Sequence, residues 1–164
     1  MSRKFVRQSA AAFMGTPQVP GVGKVFPSPP KISRTSDAYE NLPPGTPSGS
    51  VVYVEILRVE EKRVALGGPV AGTKANAYTL RFHLLFRSRQ GDSEAAMDDH
   101  DDQVEAMLSR LREDRTLGTG GRLNQFGQDG TGITISTGMP KTSGTGSTHI
   151  WSVIDGTVLE FIDA

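Results

Sequence analysis

The sequence contains no cysteine, and this absence excludes disulfide bonds and thiolate metal sites. It also lacks any stretch that approaches the roughly 20 apolar residues of a membrane-spanning helix. No early segment joins a basic start to a long apolar run, as a secretory signal peptide does. From these absences we predict a chain that folds in the cytosol and has no membrane partner.

The chain has no net charge, because its 18 acidic residues balance its 18 basic ones. It therefore lacks the overall field of a nucleic-acid-binding protein. The charges are nevertheless segregated: the first 36 residues hold six basic side chains and no carboxylate, whereas 92–102 holds six carboxylates. Such polarity suits charge-complementary docking between subunits, although a solvated arm and a solvated helix face explain it more simply.

At 164 residues the chain can form one domain that buries a core without covalent staples. We predict an α+β fold with a mixed, mainly antiparallel sheet, an N-terminal helix, one long central helix packed on one face, and long Pro-rich and Gly-rich loops. The expected segments of this single domain, 1–164, are a helix (1–14), a Pro-rich extended loop (15–50), a sheet plus helix (51–117), a Gly-rich loop (118–148) and a C-terminal strand (149–164).

Two segments have the periodicity of amphipathic helices. In the first, residues 2–14, apolar side chains recur on one helical face, and Gly15 ends the pattern. The second begins at Asp92 or Ser93, either of which can cap it, and runs to about Glu113. Its apolar stripe should lie across the sheet and consists of Met97, Val104, Met107, Leu108 and Leu111.

Alternating apolar and polar residues predict the strands. The clearest strand is 78–86, and 24–26 and 133–136 are shorter candidates. One face of the clearest strand should form the centre of the core, and it carries Tyr78, Leu80, Phe82, Leu84 and Phe86.

Residues 51–57 and 62–66 are predicted to be an antiparallel pair, with a turn at Glu60 and Glu61 between them. Gly67, Gly68 and Pro69 should close this pair.

Two segments allow alternatives. Most of the prolines lie between Pro17 and Pro47, which predicts an ordered extended loop, with disorder over 34–50 as the competing interpretation. Residues 149–162 are strand-like throughout, yet Asp155-Gly156 is a strong local signal for a hairpin. We predict one long strand with a local irregularity there.

The sequence offers little that resembles catalytic machinery. The acidic cluster 98–102 spans more than one helical turn, so its side chains should point in different directions, and it lacks the pattern of a calcium loop. Residues 21–24 do not complete a phosphate-binding loop, and the three histidines accompany no nucleophile elbow. We predict a protein that is not an enzyme and binds no metal or cofactor.

One segment mixes basic and aromatic residues, from Arg81 to Arg89. Phe82 and Phe86 should face inward, where they cannot stack on bases. We therefore predict that Arg81, Arg87 and Arg89 form a charged outer face or a subunit contact. The Gly-rich loop, with Arg122 and Phe126, is a second candidate for partner contacts.

The order of several segments resembles the tail-terminator, or tail-completion, proteins of long-tailed bacteriophages, particularly those of actinobacterial phages. After an amphipathic helix come VPGVGKVFPSPPK (19–31), RVALGGP (63–69), YTLRFHLLFRS (78–88), an acidic helix ending in REDRTLG (112–118) and a terminal strand (149–162). The helix that ends in REDRTLG and is followed by a Gly-rich loop carries most of this resemblance.

The resemblance implies helices on one face of a mixed sheet and a ring of six subunits at the top of the tail tube. Such a ring would contact the connector above and the tube protein below, stop tube growth and let DNA pass through its channel. Carboxylates suit the wall of that channel because they do not bind phosphate, and the candidates are Asp98, Asp99, Asp101 and Asp102. Another neck protein, a stopper or connector, is an alternative, and a small nucleic-acid-binding module is an alternative from a different class.

Overall fold

The computed structural model describes residues 2–30, 48–63, 73–89, 93–128, 132–142 and 146–163. These form an α+β fold with two helices and six strands, as predicted. In chain order the elements are α1 (Arg3–Gly15), β1 (Val22–Phe26), β2 (Ser48–Arg63), β3 (Thr73–Ser88), α2 (Ser93–Glu113), β4 (Ile133–Thr137), β5 (Lys141–Thr142) and β6 (Thr148–Asp163).

The strands form one sheet in the order β1-β2-β3-β6-β4, and β5 also pairs with β6. Only the β1–β2 pairing is parallel among the described strands, so the sheet is mixed and mainly antiparallel. Strands β2, β3 and β6 each have 16 residues, a length of about 50 Å. These three strands form the frame on which the other elements pack.

The core lies between one face of the sheet and the two helices. The five alternating residues predicted for the face of β3 are each at most 2% exposed. Val104, Met107, Leu108 and Leu111 of the predicted α2 stripe are buried against them, and Met97 is partly buried. In α1, Val6, Ala10 and Phe13 are buried, and the Ser2 side chain caps the helix by accepting from the Phe5 amide.

The turn predicted at Glu60 and Glu61 is wrong. Both residues continue β2 and pair with Ala77 and Asn76 of β3. The register of β2 shifts earlier, between Ile56 and Arg58. Glu60 and Glu61 lie where the strand is only partly buried or exposed, so their charge indicated solvent contact and not a change of chain direction. The predicted closing residues, 67–69, lie outside the described residues.

The C-terminal segment is one strand, as predicted, and the hairpin alternative is wrong. β6 pairs with β3 without a register shift from Thr148 to Asp163, so the irregularity expected at Asp155-Gly156 is also absent. Gly156 has a packing role instead. A Cβ placed on it would lie 2.4 Å from the Phe126 ring, so the glycine lets this ring pack against the sheet.

Hydrogen bonds from the REDRTLG segment (112–118) fix the conformation of the chain after α2. Asp114 accepts hydrogen bonds from the amides of Thr116 and Gly118, and Leu117, with a φ of 52°, is buried. The Arg115 guanidinium donates to the Phe126 carbonyl at 2.7 Å. This turn directs the following residues back over the core, where Leu123 and Phe126 are fully buried.

Two predicted loops contain strands. The predicted short strand at 24–26 is confirmed within β1, the sheet begins again at Ser48, and the intervening 31–47 lies outside the described residues. The strand predicted at 133–136 is confirmed as β4.

Among the described residues, neither helix is long and apolar enough to span a bilayer.

Candidate interaction face

The face of the sheet opposite the helices is covered by no described helix, and we call it the open face. It consists of the odd-numbered residues of β3 and β6 with their neighbours on β2. Pairing arranges its centre in three rows across the strands: Val51–Leu85–Trp151, Tyr53–His83–Val153 and Glu55–Arg81–Asp155.

An aromatic group occupies the middle of the open face. The rings of Tyr53 and His83 stack with centroids 4.2 Å apart and planes 11° from parallel. The Trp151 indole N–H donates to His83 Nδ1 at 3.2 Å. Because Nδ1 accepts this bond, the ring proton lies on Nε2, which donates to Glu55 at 2.8 Å. These contacts fix the orientation of a tryptophan that is 55% exposed.

Arg81 and Asp155, beside this group, form an ion pair. Arg81 donates from Nε and Nη2 to the two carboxylate oxygens of Asp155, each at 2.7 Å. The hydrogen bonds with Asp155 raise the pKa of Arg81 above its ordinary value despite the opposing effect of burial. Burial and the neighbouring Arg87 charge lower the pKa of His149, which lies at the same face. The open face thus carries two arginines, Arg81 and Arg87, and two carboxylates, Glu55 and Asp155.

This arrangement suits contact with another macromolecule. Exposed tryptophan and arginine side chains provide much of the binding energy at protein interfaces when paired polar groups surround them. A fixed indole also loses little conformational entropy when a partner covers it. The open face is therefore the candidate functional site.

A groove of about 670 Å³ lies on the helical side of the sheet, between α1 and the turn that follows α2. Phe5, Phe13 and Leu117 give it apolar walls, and Arg110 and Glu113 add an ion pair. The Arg110 guanidinium also donates to the Phe13 and Thr16 carbonyls and lies 4.4 Å from the Phe13 ring centroid. The molecule thus has two unlike surfaces on its two sides.

The predicted interface residues do not all belong to one surface. Arg81 and Arg87 lie on the open face, and Arg89 is exposed just beyond the end of β3. Arg122 is exposed in the segment after α2. Phe126 was predicted wrongly as a contact residue, because it is fully buried and its ring packs edge-on against Phe82 with centroids 6.0 Å apart.

The acidic cluster on α2 spreads around the helix, as its spacing predicts. Asp98, Asp101 and Asp102 are exposed, whereas Asp99 is half-buried and accepts a hydrogen bond from Ser48 Oγ at 2.8 Å. His100 turns inward and is fully buried. In the described part of the chain, no three histidine or carboxylate side chains converge into a group that could hold a metal ion.

One chain of polar groups, buried except for Asp101, has the order found in serine hydrolases. Ser152 Oγ lies 2.7 Å from His100 Nε2, and His100 Nδ1 lies 2.9 Å from Asp101. Both Ser152 and His100 are fully buried, and Ser152 also bonds to Thr137 Oγ1. A substrate cannot reach this hydroxyl, so the contacts serve to join α2 to β6 and β4.

Sequence reasoning missed Tyr53, Glu55, Trp151 and Asp155. Two of them could have been predicted from the alternation along β6. Trp151 and Asp155 alternate with the buried Ile150, Ser152 and Ile154. This alternation places them on the face opposite the core.

The fold and the face define a general class, an α+β protein whose sheet is covered by helices on one side and by no described helix on the other. Comparison with known proteins adds no particular identity, because no protein-family model and no curated protein matches the chain.

Proposed function

We propose that this chain is a structural subunit that assembles with copies of itself into a ring. In particular, the ring would lie at the head-proximal end of a long phage tail, where it ends tube growth, joins the tail to the head connector and lets DNA pass. The observation that supports this proposal most is the pair of unlike surfaces, the open face and the groove, on opposite sides of one sheet. A closed ring needs such a head-to-tail contact between two different surfaces.

Two further features agree with this role. The one-sided mixed sheet has the architecture that the resemblance to tail terminators implies. The exposed carboxylates of α2, Asp98, Asp101 and Asp102, give its outer surface a negative charge that would repel DNA phosphates in a channel.

The first test is the solution mass of the purified chain by light scattering, with negative-stain imaging of the eluted particles. Six copies of 17.6 kDa give 105.6 kDa, and we expect ring-shaped particles of that mass. Trp151→Ala should reduce ring formation because it removes the centre of the open face. Met139→Ala is the matched control, since Met139 is 86% exposed and lies outside the open face.

Rings that close only on a tail would leave the free chain monomeric, so purified tube protein is added in a second arm. A chain that forms no ring of 105.6 kDa in either arm would contradict the proposed ring.

The open face also favours one function from a different class. An exposed Trp151 on the same sheet face as Arg81 resembles the stacking surfaces that bind single-stranded nucleic acid. The pairing of Arg81 with Asp155 opposes this function, because the carboxylate repels phosphate. A shift in DNA mobility at low salt that disappears in Trp151→Ala would favour it over the ring.

A further inference from the structure

Strand β4 is an edge strand with unusual properties. It pairs with β6 on one side, and no described strand pairs with its other side. Four of its five residues are exposed, and Ile135 is 42% exposed. From Gly132 to Pro140 the sequence contains no charged residue. Soluble proteins usually protect such an edge with charges, a proline or a bulge, and β4 itself has none of these.

Two other edges of the described sheet, along β1 and along the distal part of β2, are protected. The Gln18 side chain donates hydrogen bonds to the Val22 and Gly23 carbonyls and so occupies acceptors of β1. The part of β2 beyond its pairing with β1 carries a series of charges: Glu55, Arg58, Glu60, Glu61, Lys62 and Arg63. Neither edge offers a good partner strand for β4, whereas a second β4 carries no opposing charge.

We propose that β4 pairs with β4 of a second copy of this chain, antiparallel and across a two-fold axis at Ile135. Ile135 then lies opposite Ile135 of the second copy, and Thr134 lies opposite Ser136 of that copy. Ile133, Ile135 and Thr137 share one face because their partners on β6 are Gly156, Ile154 and Ser152. On one face the pairing sets Ile135 against Ile135 and Ile133 against Thr137, and on the other it sets hydroxyls against each other. It also satisfies the backbone groups of both edges.

The contact does not depend on the proposed ring. A two-fold contact cannot lie within a ring that has only a six-fold axis, so it joins two free chains or two whole rings. Two five-residue strands bury less than the roughly 800 Å² per partner of a stable interface. The dimer of the free chain should therefore form in a concentration-dependent manner.

The absence of native cysteine permits a direct test with single-cysteine variants. Opposed residues of antiparallel strands have Cβ atoms about 4.5–5.5 Å apart, close to disulfide range, whereas diagonal neighbours are about 7–8 Å apart. Under mild oxidation Ile135→Cys should form disulfide dimers rapidly. Thr134→Cys and Ser136→Cys should cross-link slowly alone and rapidly when mixed with each other.

Met139→Cys measures cross-linking by random collision, because its side chain is 86% exposed and outside β4. Equal rates for Ile135→Cys and Met139→Cys would overturn the proposal. Rapid self-linking of Thr134→Cys would overturn the proposed register.

Sedimentation without cross-linking supplies a second readout. For chains outside rings, as in Trp151→Ala, the mass should rise with concentration from 17.6 towards 35.2 kDa, twice the mass of one chain. Ile135→Lys added to Trp151→Ala should hold the mass at 17.6 kDa with an unchanged melting temperature. Trp151→Ala should still dimerise, so a failure of the ring and a failure of the β4 contact are distinguishable. A wild-type chain that remains at 17.6 kDa while Ile135→Lys blocks entry into tails would assign the edge to a strand of another protein.

Discussion

A single glycine decides how the C-terminal strand packs. Asp155-Gly156 is a hairpin signal in the sequence, yet the chain passes through it without turning. The reason is the Phe126 ring, which occupies the space that a Cβ on Gly156 would need. Neither residue reveals this contact in sequence, because 30 positions separate them and only the turn after α2 brings them together.

Gly156→Ala should therefore lower the free energy of unfolding by about 1–3 kcal/mol, the usual cost of overpacking a core. Urea unfolding measures this change. Gly15→Ala is the matched control, since its new Cβ would lie 3.7 Å from Val25, in ordinary contact. In the last turn of α1 the same substitution should stabilise by up to about 0.5–1 kcal/mol. Equal effects of the two substitutions would contradict the packing role of Gly156.

Tyr78 makes the stability of the fold depend on pH in the alkaline range. Burial, together with the hydrogen bond that its hydroxyl donates to Glu160 at 2.8 Å, raises the pKa of Tyr78 to about 12. The ordinary value is about 10. A pKa that is higher in the folded chain means that the stabilisation is complete below pH 10 and is lost as pH rises towards 12. The loss should reach about 2–3 kcal/mol.

Urea unfolding at several pH values between 9 and 12, compared with Tyr78→Phe, isolates this effect because the other tyrosines titrate in both proteins. The phenylalanine variant should be less stable than the wild type at pH 9, and the difference should shrink as pH rises. Parallel profiles for the two proteins would rule out this role of Tyr78.

At the scale of elements, the sequence predicted best where one periodicity extends over several turns or residues. The alternation of β3 and the stripe of α2 both lie at the centre of the core, so burial dictates their pattern directly. β2 was divided incorrectly because its distal half is exposed. Charged residues such as Glu60 and Glu61 are typical of an exposed strand as well as of a turn.

The candidate site was predictable only in part for a related reason. The position of Arg81 on the outer face follows from the phase of β3 alone. Its pairing with Asp155 depends on the register between β3 and β6, which are 74 residues apart at this point. The stacking of Tyr53 on His83 likewise requires the β2–β3 register. The local sequence pattern does not determine which residues of distant strands pair. The position of Arg81 could therefore be predicted, and its contact with Asp155 and the stacking of Tyr53 on His83 could not.

Asp114 and Arg115 hold the turn that follows α2. Hydrogen bonds from Thr116 lower the pKa of Asp114, which indicates that its ionised form holds the turn. Arg115 fixes the segment that carries Phe126. These residues position the turn over the core.

At the scale of the whole molecule, the sheet presents a fixed aromatic centre on the side that the helices leave open. The chain contains one tryptophan, and it lies at this centre. Its fluorescence therefore reports whether a partner covers the open face. Ring assembly should shift the emission to shorter wavelength, because burial removes water from the indole.

For the β4 contact we expect no change in the emission of Trp151, and this contact therefore provides the control. Disulfide dimers of Ile135→Cys should keep the emission of the free chain, since their contact lies at the sheet edge and leaves Trp151 exposed. Ile135→Lys should still show the shift in any assembly that forms through the open face. Rings that form without a change in emission would place the subunit contact elsewhere, and a shift that accompanies the Ile135→Cys dimer alone would mean that the edge contact extends across the open face.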